Sequence, residues 1–250
     1  MERYSNLSII IPARNEGDGI ARIVANAIKY SDDVIVVDGH SQDQTKEIVE
    51  KLGVKFLLDN KKGKGDAMKV GVAHAKYENI LFYDADGSHD PTDLPKMAEY
   101  ILSSKADMIT ASRRTGGSFD LDMSFVGLIR SVGCDFLVVM INHRFKANLS
   151  DVLYSFRAIK KNVFEKLDIQ ENGFGVEQEM VIKCLANGFS IFETPSRELK
   201  REWGKSKLQT IVGIHFIFMI VKEYFKTYKK KPMLISDTET KQVDVGSSGI

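Results

Sequence analysis

Ile80-Leu81-Phe82-Tyr83-Asp84-Ala85-Asp86 sets the architecture of this chain, because four apolar residues lead directly into two carboxylates one residue apart. A short, continuously apolar run followed by polar residues is typical of a strand buried on both faces of a parallel sheet. Ligands of such sheets bind beyond the carboxyl ends of the strands. We therefore expect Asp84 and Asp86 at the lip of a sheet, where they can hold a hard divalent cation together with phosphate oxygens.

The same carboxylate pair also fits a plainer, structural interpretation. The chain continues as Gly87-Ser88-His89-Asp90-Pro91, and Ser88 or Asp90 can cap a helix that begins at Pro91. His89 can assist a metal site, but a histidine beside a helix start more often has a structural role. Because short motifs match by chance, the pair alone does not distinguish a metal site from a capped turn.

Length and composition limit what kind of protein this is. A chain of 250 residues with 43% hydrophobic residues can bury one sizeable core, as a single domain or a domain with an appendage. Its net charge of +1 gives no support for nucleic acid as the main partner, since duplex-binding proteins usually carry a clear basic excess. Cys134 and Cys184 stand far apart, which excludes a zinc knuckle and favours a reducing compartment.

The first half of the chain alternates strand and helix patterns. Apolar runs predict strands at 7–13, 33–37, 54–58, 80–83 and 107–111, and helical patterns lie between them at 16–30, 42–52, 65–76 and 91–103. Ser41 is the expected N-cap of the second helix, and Pro91 stands in the first turn of the fourth. This alternation predicts an α/β fold with a mixed, mainly parallel sheet covered by helices on both faces.

The second half has a different pattern. A long, largely apolar helix is expected at 119–144, a returning strand at 152–159, a helix at 175–186 and an edge strand at 189–193. The sequence therefore divides into one domain of residues 1–207, a C-terminal apolar or amphipathic helix within 208–231, and a polar, disordered tail at 232–250. No stretch reaches the roughly 18 apolar residues of a spanning helix, so we expect a soluble or peripheral protein.

Two further polar segments follow expected strands, and each has two interpretations. Asp38, which ends the second strand, can accept hydrogen bonds from a base edge or a ribose, or it can be a loop aspartate in a turn with Gly39. Gly63-Lys64-Gly65 precedes a helix and offers close backbone approach, a cation and a helix N-terminus to an anionic ligand, or it is a solvated turn. Beside Asp84 and Asp86, both segments favour a nucleoside diphosphate as the ligand.

Motifs spread over nearly the whole chain resemble one family in the expected order. They are Ile10-Ile11-Pro12-Ala13-Arg14-Asn15-Glu16, Val36-Val37-Asp38-Gly39-His40-Ser41, Gly63-Lys64-Gly65-Asp66-Ala67, Asp84-Ala85-Asp86 with His89 and Pro91, Ala111-Ser112-Arg113-Arg114 with Gly116-Gly117, Asp151 with Phe156-Arg157-Ala158, and Trp203-Gly204-Lys205-Ser206-Lys207-Leu208. In these blocks the chain resembles the family 2 glycosyltransferases of the GT-A (Rossmann-like) fold. More narrowly, it resembles the dolichol-phosphate mannose synthase-like branch of polyprenyl-phosphate glycosyltransferases.

The resemblance implies a donor site residue by residue. The residues implied to contact the nucleotide-sugar donor are Pro12, Ala13, Glu16, Asp38, Lys64, Asp84, Ala85 and Asp86. Among them, Asp38 is implied to contact the base, and Lys64 to lie beside the base or the diphosphate. Asp84 and Asp86 are the implied ligands of Mg²⁺ or Mn²⁺, with Asp86 as the main ligand.

Two positions depart from the family pattern. Members of the branch often carry Leu-Gln after the acidic pair, where the glutamine helps to hold the metal, whereas this chain has Gly87-Ser88. Because serine is a shorter ligand, water is expected to complete the metal shell. The usual Ser-Gly-Phe-Arg block reads Tyr154-Ser155-Phe156-Arg157, which puts a larger, less flexible residue where the family has glycine.

The resemblance further implies inverting transfer of a hexose from a UDP- or GDP-hexose to a polyprenyl (dolichyl) phosphate. Such an acceptor is already an anion at neutral pH, so it needs cations to hold it in line rather than a strong general base. The residues expected to bind the acceptor phosphate are Arg113, Arg157, Arg201 and Lys205. The expected catalytic set is Asp86, Asp151, Arg113, Arg201 and Lys205. Arg130 and Lys207 are interpreted as surface charges.

Other activities stay open at this point. If the acceptor were a saccharide or another hydroxyl compound, Asp151 or Glu177 would have to act as the base, although Asp151 can instead orient Arg157. A nucleotide-sugar-binding protein without turnover is compatible with the departure at Ser88. A nucleotidyltransferase is a more distant alternative, because Arg14-Asn15-Glu16-Gly17 does not resemble the glycine-rich, basic loop expected after its first strand.

The last helix suggests contact with a membrane surface. Apolar residues cover most faces of 211–221 and recur at Phe225, and lysines stand at Lys222, Lys226 and 229–231. Such a helix either lies at an anionic lipid interface or packs on the core with a basic end, and 121–141 is a second candidate for interfacial contact. We expect a cytoplasmic protein that associates peripherally with the cytoplasmic face of a membrane.

Overall fold

The computed structural model of this protein describes residues 3–119, 125–201, 203 and 233–235. The strands are β1 Leu7–Ala13, β2 Asp33–Asp38, β3 Lys55–Leu58, β4 Asn79–Phe82, β5 Met108–Ser112, β6 Arg157–Lys160, β7 Ser190–Pro195 and β8 Met233–Ile235. The helices are α1 Ile20–Ala27, α2 Thr45–Lys51, α3 Lys64–His74, α4 Leu94–Leu102, α5 Arg113–Gly116, α6 Phe125–Phe145, α7 Lys161–Leu167 and α8 Val176–Asn187.

One sheet of eight strands forms the centre of the fold, in the order β3-β2-β1-β4-β6-β5-β7-β8. Neighbouring strands are parallel except at β6, which runs antiparallel to both β4 and β5. The predicted mixed, mainly parallel sheet is therefore confirmed. Because β1 lies between β2 and β4, the carboxyl ends of these three strands meet at one edge of the sheet, where Ala13 pairs with Asp38.

Helices cover both faces of the sheet, as predicted. Ile10 belongs to one apolar core, together with Met68 of α3 and Met180 of α8. Ile9 and Ile11 belong to the other core, which includes the buried sides of α1 and α4, because side chains alternate along a strand. Burial on both faces explains why the strand sequences are continuously apolar rather than alternating.

The structure confirms one predicted helix cap and corrects another. Asp90 accepts a hydrogen bond from the N–H of Thr92 at 2.9 Å and so caps the 3₁₀ turn Pro91–Asp93 that leads into α4. This confirms Asp90 as a cap. Ser41, in contrast, does not cap α2, because α2 starts later than predicted, at Thr45. The N–H and the hydroxyl of Ser41 both donate to Asp38 instead.

Two strand predictions need correction. The strand expected at 152–159 is shorter and starts later, as β6 at Arg157–Lys160. Before β6 the chain turns around Asp151, whose Oδ1 accepts from the N–H groups of Leu153 and Tyr154 at 3.1 Å each. The strand predicted at the edge, β7, is not an edge strand, since β8 pairs with it in parallel.

Several predicted features fall outside the described residues. They are the C-terminal helix within 208–231, Lys205 and Lys207, and all but three residues of the tail at 232–250. Those three residues, Met233–Ile235, form β8 instead of a disordered segment. Among the helices that the structure describes, none combines the length and the apolar character needed to cross a bilayer.

Candidate active site

The carboxyl ends of β1, β2 and β4 open onto a cleft with a volume of about 710 Å³. The predicted donor-binding residues that line it are Pro12, Ala13, Glu16, Lys64, Asp84, Ala85 and Asp86. Phe174, Arg201 and Trp203, from the second half of the chain, contribute to the same wall. The fold thus brings most of the predicted donor site together in one cleft.

Asp84 follows β4, and its Oδ2 accepts two short hydrogen bonds. Lys64 donates from Nζ at 2.8 Å and Ser155 from Oγ at 2.5 Å. Burial alone would raise the pKa of Asp84, but the neighbouring charge of Lys64 and these two hydrogen bonds hold the pKa well below its usual range. Asp84 is therefore a carboxylate at neutral pH.

Lys64, the first residue of α3, bridges two carboxylates. Its Nζ lies 2.8 Å from Asp84 Oδ2 and 2.8 Å from Oε1 of Glu177, in the first turn of α8. Burial alone would lower the pKa of Lys64, but the two carboxylates raise it, so the ammonium stays charged. The Glu177 side chain is only 4% exposed and pairs with Lys64 beneath the cleft surface.

The glycines on either side of Lys64 are required by close packing. Gly63 has a φ of +116°, a conformation that side chains rarely adopt. A Cβ on Gly65 would lie 2.5 Å from the carbonyl oxygen of Glu171, so the loop at 169–175 packs directly on this turn. The contact supports the interpretation of Gly63-Lys64-Gly65 as part of the site rather than as a solvated turn.

Asp86 has hydrogen bonds at both carboxylate oxygens. Its Oδ1 accepts from the N–H and the hydroxyl of Ser88, at 3.0 and 2.7 Å, and its Oδ2 accepts from Arg201 Nε at 2.9 Å. Ser88 therefore orients Asp86, at the position where the dolichol-phosphate mannose synthase-like branch often has glutamine. Arg201, which the sequence predicted near the phosphates, lies beside the carboxylate predicted to be the main metal ligand.

Trp203 packs over the loop that contains these carboxylates. Its Nε1 donates to the carbonyl of Ala85 at 3.0 Å, and the guanidinium of Arg22 lies 4.7 Å from its ring centre. A Cβ on Gly19 would lie 1.8 Å from Trp203 Cε2, and one on Gly87 would lie 2.9 Å from Cη2, so both positions must lack a side chain. Trp203 belongs to the last block of the family resemblance, but it was not among the predicted site residues.

The segment that carries Arg201 and Trp203 is anchored further back by backbone contacts. The N–H of Leu199 donates to the carbonyl of Ser88 at 2.8 Å, and the N–H of Glu198 to that of Gly117 at 2.9 Å. These contacts place the segment across the loop that follows β4. They explain how residues so late in the chain reach the cleft.

Arg113 is held by two carboxylates instead of lining the cleft. Its Nε and Nη2 donate to Asp151 Oδ2 and Oδ1 at 2.7 and 3.2 Å, and its Nη1 donates to Glu198 Oε1 at 3.2 Å. Burial alone would raise the pKa of Asp151, but Arg113 lowers it. Asp151 thus orients Arg113. The suggestion that it orients Arg157 is corrected.

Arg157 has a structural role, which corrects its predicted contact with an acceptor phosphate. The residue is completely buried in β6. Its guanidinium donates to the carbonyl oxygens of Tyr154, Glu177 and Val152 at 2.9, 2.7 and 2.8 Å. A buried guanidinium that satisfies three backbone carbonyls is not available to a ligand.

The end of the cleft beside β2 differs from the prediction in one detail. Asp38 is buried, and both of its carboxylate oxygens accept from Ser41, while Gly39 and His40 reach the cleft wall. Asp59 lines the cleft too, and His40 Nε2 donates to its carbonyl oxygen at 2.9 Å. Asp59 was not among the predicted site residues, because only the pairing of β3 with β2 brings it beside Asp38. The contact of Asp38 with the base stays a prediction.

The sequence profile described as Glycosyl transferase family 2 matches residues 8–168, which carry β2 to β6, all but the first residue of β1, and both Asp84 and Asp86. This chain belongs to glycosyl transferase family 2. As a member of this family it is a glycosyltransferase.

Curated relatives of this family 2 glycosyltransferase are about equally distant. The uncharacterized protein MJ1222 of Methanocaldococcus jannaschii is 28% identical over 223 residues, which cover 85% of this chain and 90% of that protein. Glycosyltransferase AglJ of Haloferax volcanii is 28% identical, covering 78% of this chain and 64% of AglJ. The low-salt glycan biosynthesis hexosyltransferase Agl6 of the same organism is 29% identical, covering 86% of this chain and 53% of Agl6. The chain therefore spans about half to two thirds of the two Haloferax proteins.

Solved structures show the same fold. Glucosyl-3-phosphoglycerate synthase from Mycobacterium tuberculosis, in complex with Mn²⁺, UDP and phosphoglyceric acid, superposes with a TM-score of 0.70 at 16% identity, covering 89% of this chain and 79% of that one. The complex of that enzyme with Mg²⁺ and UDP superposes with a TM-score of 0.68 at 17% identity, covering 87% and 79%. These likenesses confirm the predicted GT-A fold of this family 2 glycosyltransferase.

Proposed function

We propose that this chain catalyses the metal-dependent, inverting transfer of a hexose from a UDP- or GDP-hexose to a polyprenyl (dolichyl) phosphate. The observation that carries the proposal is the arrangement of Asp84 and Asp86 in the cleft, where each is paired with a cation, Lys64 and Arg201. Carboxylates that can hold a metal, next to cations that can hold phosphate oxygens, form the charge pattern that a nucleoside diphosphate requires.

The two aspartates fit a divalent cation. Both line the cleft and offer the hard oxygen ligands that Mg²⁺ and Mn²⁺ prefer. Within the described part of the chain, no group of three or more His, Cys, Asp or Glu side chains is arranged to hold a metal. Phosphate oxygens and water would therefore complete the shell, as is usual for Mg²⁺. When bound, the ion would act as a Lewis acid that stabilises negative charge on the leaving diphosphate.

The chain's own cations contribute to the same step. Lys64 is held between Asp84 and Glu177, and Arg201 is held by Asp86, so both positive charges are in place before a substrate arrives. As the sugar leaves, negative charge grows on the diphosphate, and preorganised cations nearby stabilise it without rearrangement. We assign this role to Lys64 and Arg201.

The two carboxylates that could act as a base for a hydroxyl acceptor are both ion-paired, and this supports a phosphate acceptor. Asp151 is ion-paired with Arg113, and Glu177 with Lys64. A lipid phosphate brings its own negative charge and needs no base, whereas a hydroxyl acceptor needs one. The cations proposed to hold this acceptor are Arg201 in the cleft and Lys205, which lies outside the described residues.

A lipid acceptor also requires contact with a membrane, and α6 offers a suitable surface. Val132, Phe136 and Val139 are 60%, 50% and 63% exposed, and their spacing of four and three residues puts them on one face of the helix. Contiguous exposed apolar residues typically mark contact with lipid or protein. We propose that this stripe, together with the helix predicted within 208–231, which lies outside the described residues, supports peripheral association with the cytoplasmic face of a membrane.

Relatives and structural neighbours give further support to the donor. Agl6 is named a hexosyltransferase of glycan biosynthesis, which agrees with transfer of a hexose. The mycobacterial synthase is seen with UDP and either Mn²⁺ or Mg²⁺ in the same fold. By analogy, we propose a nucleoside diphosphate and one of these ions for this chain.

A donor assay tests the proposal. The protein is incubated with radiolabelled UDP- and GDP-hexoses, membranes, and Mg²⁺ or Mn²⁺. We expect label in an organic-extractable, acid-labile lipid product that disappears in EDTA. Label found only in a water-soluble saccharide would contradict the lipid phosphate and favour a hydroxyl acceptor. Binding of the nucleotide sugar with no product would favour a binding protein without turnover.

A further inference from the structure

Ser155 occupies the family's glycine position and links two elements of the donor site. Its hydroxyl lies 2.5 Å from Asp84 Oδ2 and 2.9 Å from His89 Nε2. On the other side of the imidazole, the backbone N–H of Asp84 donates to His89 Nδ1 at 3.2 Å. The two side chains and Asp84 therefore form a closed ring of hydrogen bonds.

The protons in this ring can be arranged in only one order. Nδ1 accepts from an N–H group, so it carries no proton, and the ring proton of His89 is on Nε2. Nε2 therefore donates to Ser155 Oγ. The single hydroxyl proton of Ser155 is then directed to Asp84 Oδ2.

The imidazole that begins this chain of hydrogen bonds is rigidly held. The His89 side chain has no solvent exposure, and its ring stacks on Phe156 with centres 4.5 Å apart at an angle of 18°. Tyr154 meets it edge-on at 5.2 Å. Tyr154 and Phe156 flank Ser155 in sequence, so one short segment fixes both the serine and the histidine.

The consequence is that the two oxygens of Asp84 are not equivalent. Ser155 and Lys64 both donate to Oδ2, and among the described residues no hydrogen bond reaches Oδ1. We propose that Ser155, held by His89, is a positioning residue that ties Oδ2 back into the protein and leaves Oδ1 to bind the divalent cation of the donor. This inference rests on the metal-dependent function proposed above.

Three variants separate this role from simple support of the fold. Ser155→Ala removes only the hydroxyl, Ser155→Thr keeps a hydroxyl, and Ser103→Ala makes the same change at an exposed serine outside the cleft, which bonds the carbonyl of Tyr100. Each variant is titrated with UDP and GDP in EDTA, and then with Mn²⁺ in the presence of the diphosphate that the wild type binds more tightly.

We expect Mn²⁺ affinity in Ser155→Ala to fall about tenfold, which is typical when a residue that orients a metal ligand is removed. Affinity for the diphosphate in EDTA should stay within about twofold of the wild type. Ser155→Thr and Ser103→Ala should match the wild type in both titrations. If Ser155→Ala does not fold, Ser155→Cys, with its weak donor, replaces it and should show the same loss.

The outcomes distinguish the inference from the proposed function. Equal Mn²⁺ affinity in the wild type and Ser155→Ala would overturn the role of Ser155 and leave the donor site intact. Parallel losses in EDTA and in Mn²⁺ would overturn it too, because they would indicate general support of the cleft. A wild type that binds neither diphosphate more tightly in Mn²⁺ would overturn the metal-dependent function itself, and the role of Ser155 with it.

Discussion

Arg201 donates from Nε to Asp86 Oδ2 at 2.9 Å, which joins the loop after β4 to a residue 115 positions later. The contact places a guanidinium on the carboxylate proposed as the main metal ligand. The guanidinium takes one of the two lone pairs of that oxygen and places a positive charge beside it. We therefore expect Arg201 to compete electrostatically with a metal ion at Asp86.

Replacing Arg201 by alanine should strengthen metal binding and weaken catalysis. Without the guanidinium, Asp86 Oδ2 is open to the ion, so Mn²⁺ affinity in the absence of nucleotide should rise about three- to tenfold. Turnover should fall about 100-fold, because a preorganised charge near the diphosphate is lost. Mn²⁺ titration and the donor assay measure the two effects. Arg197→Ala is the control, since Arg197 lies over the ring of Phe119 and does not line the cleft. Unchanged Mn²⁺ affinity in Arg201→Ala would contradict the competition between Arg201 and the ion.

Asp86→Ala should abolish metal-dependent turnover by at least about 1,000-fold and preserve the fold. Asp86 lies in a loop after β4 and is partly exposed, so its loss leaves the apolar cores unchanged. Circular dichroism checks the fold, and the donor assay checks activity. The matched control is Asp90→Ala, which removes a cap and should cost about 1 kcal/mol of stability while turnover continues. Full activity in Asp86→Ala would remove the metal assignment.

Gly19→Ala should displace Trp203 from the loop at 84–88, which follows β4. The new Cβ would lie 1.8 Å from the indole, so the hydrogen bond from Trp203 to Ala85 cannot form. Trp203 is the chain's single tryptophan, and its emission should shift to longer wavelength as the ring becomes more exposed. Affinity for the nucleoside diphosphate should fall about tenfold. Gly133→Ala, where a Cβ has open space, should leave both unchanged; an unshifted emission in Gly19→Ala would refute the packing of Trp203.

The ion pair of Asp151 with Arg113 should make stability depend on acid pH. The pKa of Asp151 is lowered in the folded state, so its contribution to the free energy of unfolding is complete above the unfolded pKa of about 3.9 and is lost as the pH falls through the folded pKa. Asp151→Asn should cost about 2 kcal/mol at pH 7 and reduce the loss of stability below pH ~4. Urea unfolding at several pH values measures both. The exposed Asp18→Asn should behave like the wild type, and a steep acid loss retained in Asp151→Asn would exclude this cause.

The apolar stripe on α6 should contribute to binding of anionic vesicles. Phe136→Ser and Val139→Ser each remove an exposed apolar side chain, which is worth about 1.5–3 kcal/mol when buried in lipid. We expect sedimentation with phosphatidylcholine–phosphatidylserine vesicles to weaken about tenfold for Phe136→Ser. Leu58→Ser, at an exposed position on β3, is the control. Equal vesicle binding by the wild type and all variants would contradict a role of the α6 stripe in membrane contact.

Much of the fold was predictable from short-range patterns. Continuous apolar runs such as those of β1 and β4 can only be buried on both faces, so they indicate a parallel sheet with helices on either side. The carboxylates that follow β4 must then lie at its carboxyl end, and the cleft forms there. Asp84, Asp86 and Lys64 were found in this way because each lies within a few residues of a strand or helix end.

Other parts of the site were not predictable, since they depend on which strands become neighbours. Arg157 carries a charge that suggests a ligand, yet β6 enters the sheet between β4 and β5 and buries it against three carbonyls. Asp59 reaches the cleft only because β3 pairs with β2. Sequence spacing does not encode these adjacencies.

The local chemistry of this protein, namely its buried strands, its capped turns and the carboxylates at their ends, follows from the order of its residues, because apolar periodicity and capping act over a few positions. The partners of those carboxylates depend on the tertiary structure. Arg201 on Asp86, and Ser155 between His89 and Asp84, are contacts between segments more than 60 positions apart, which meet only after the sheet is assembled.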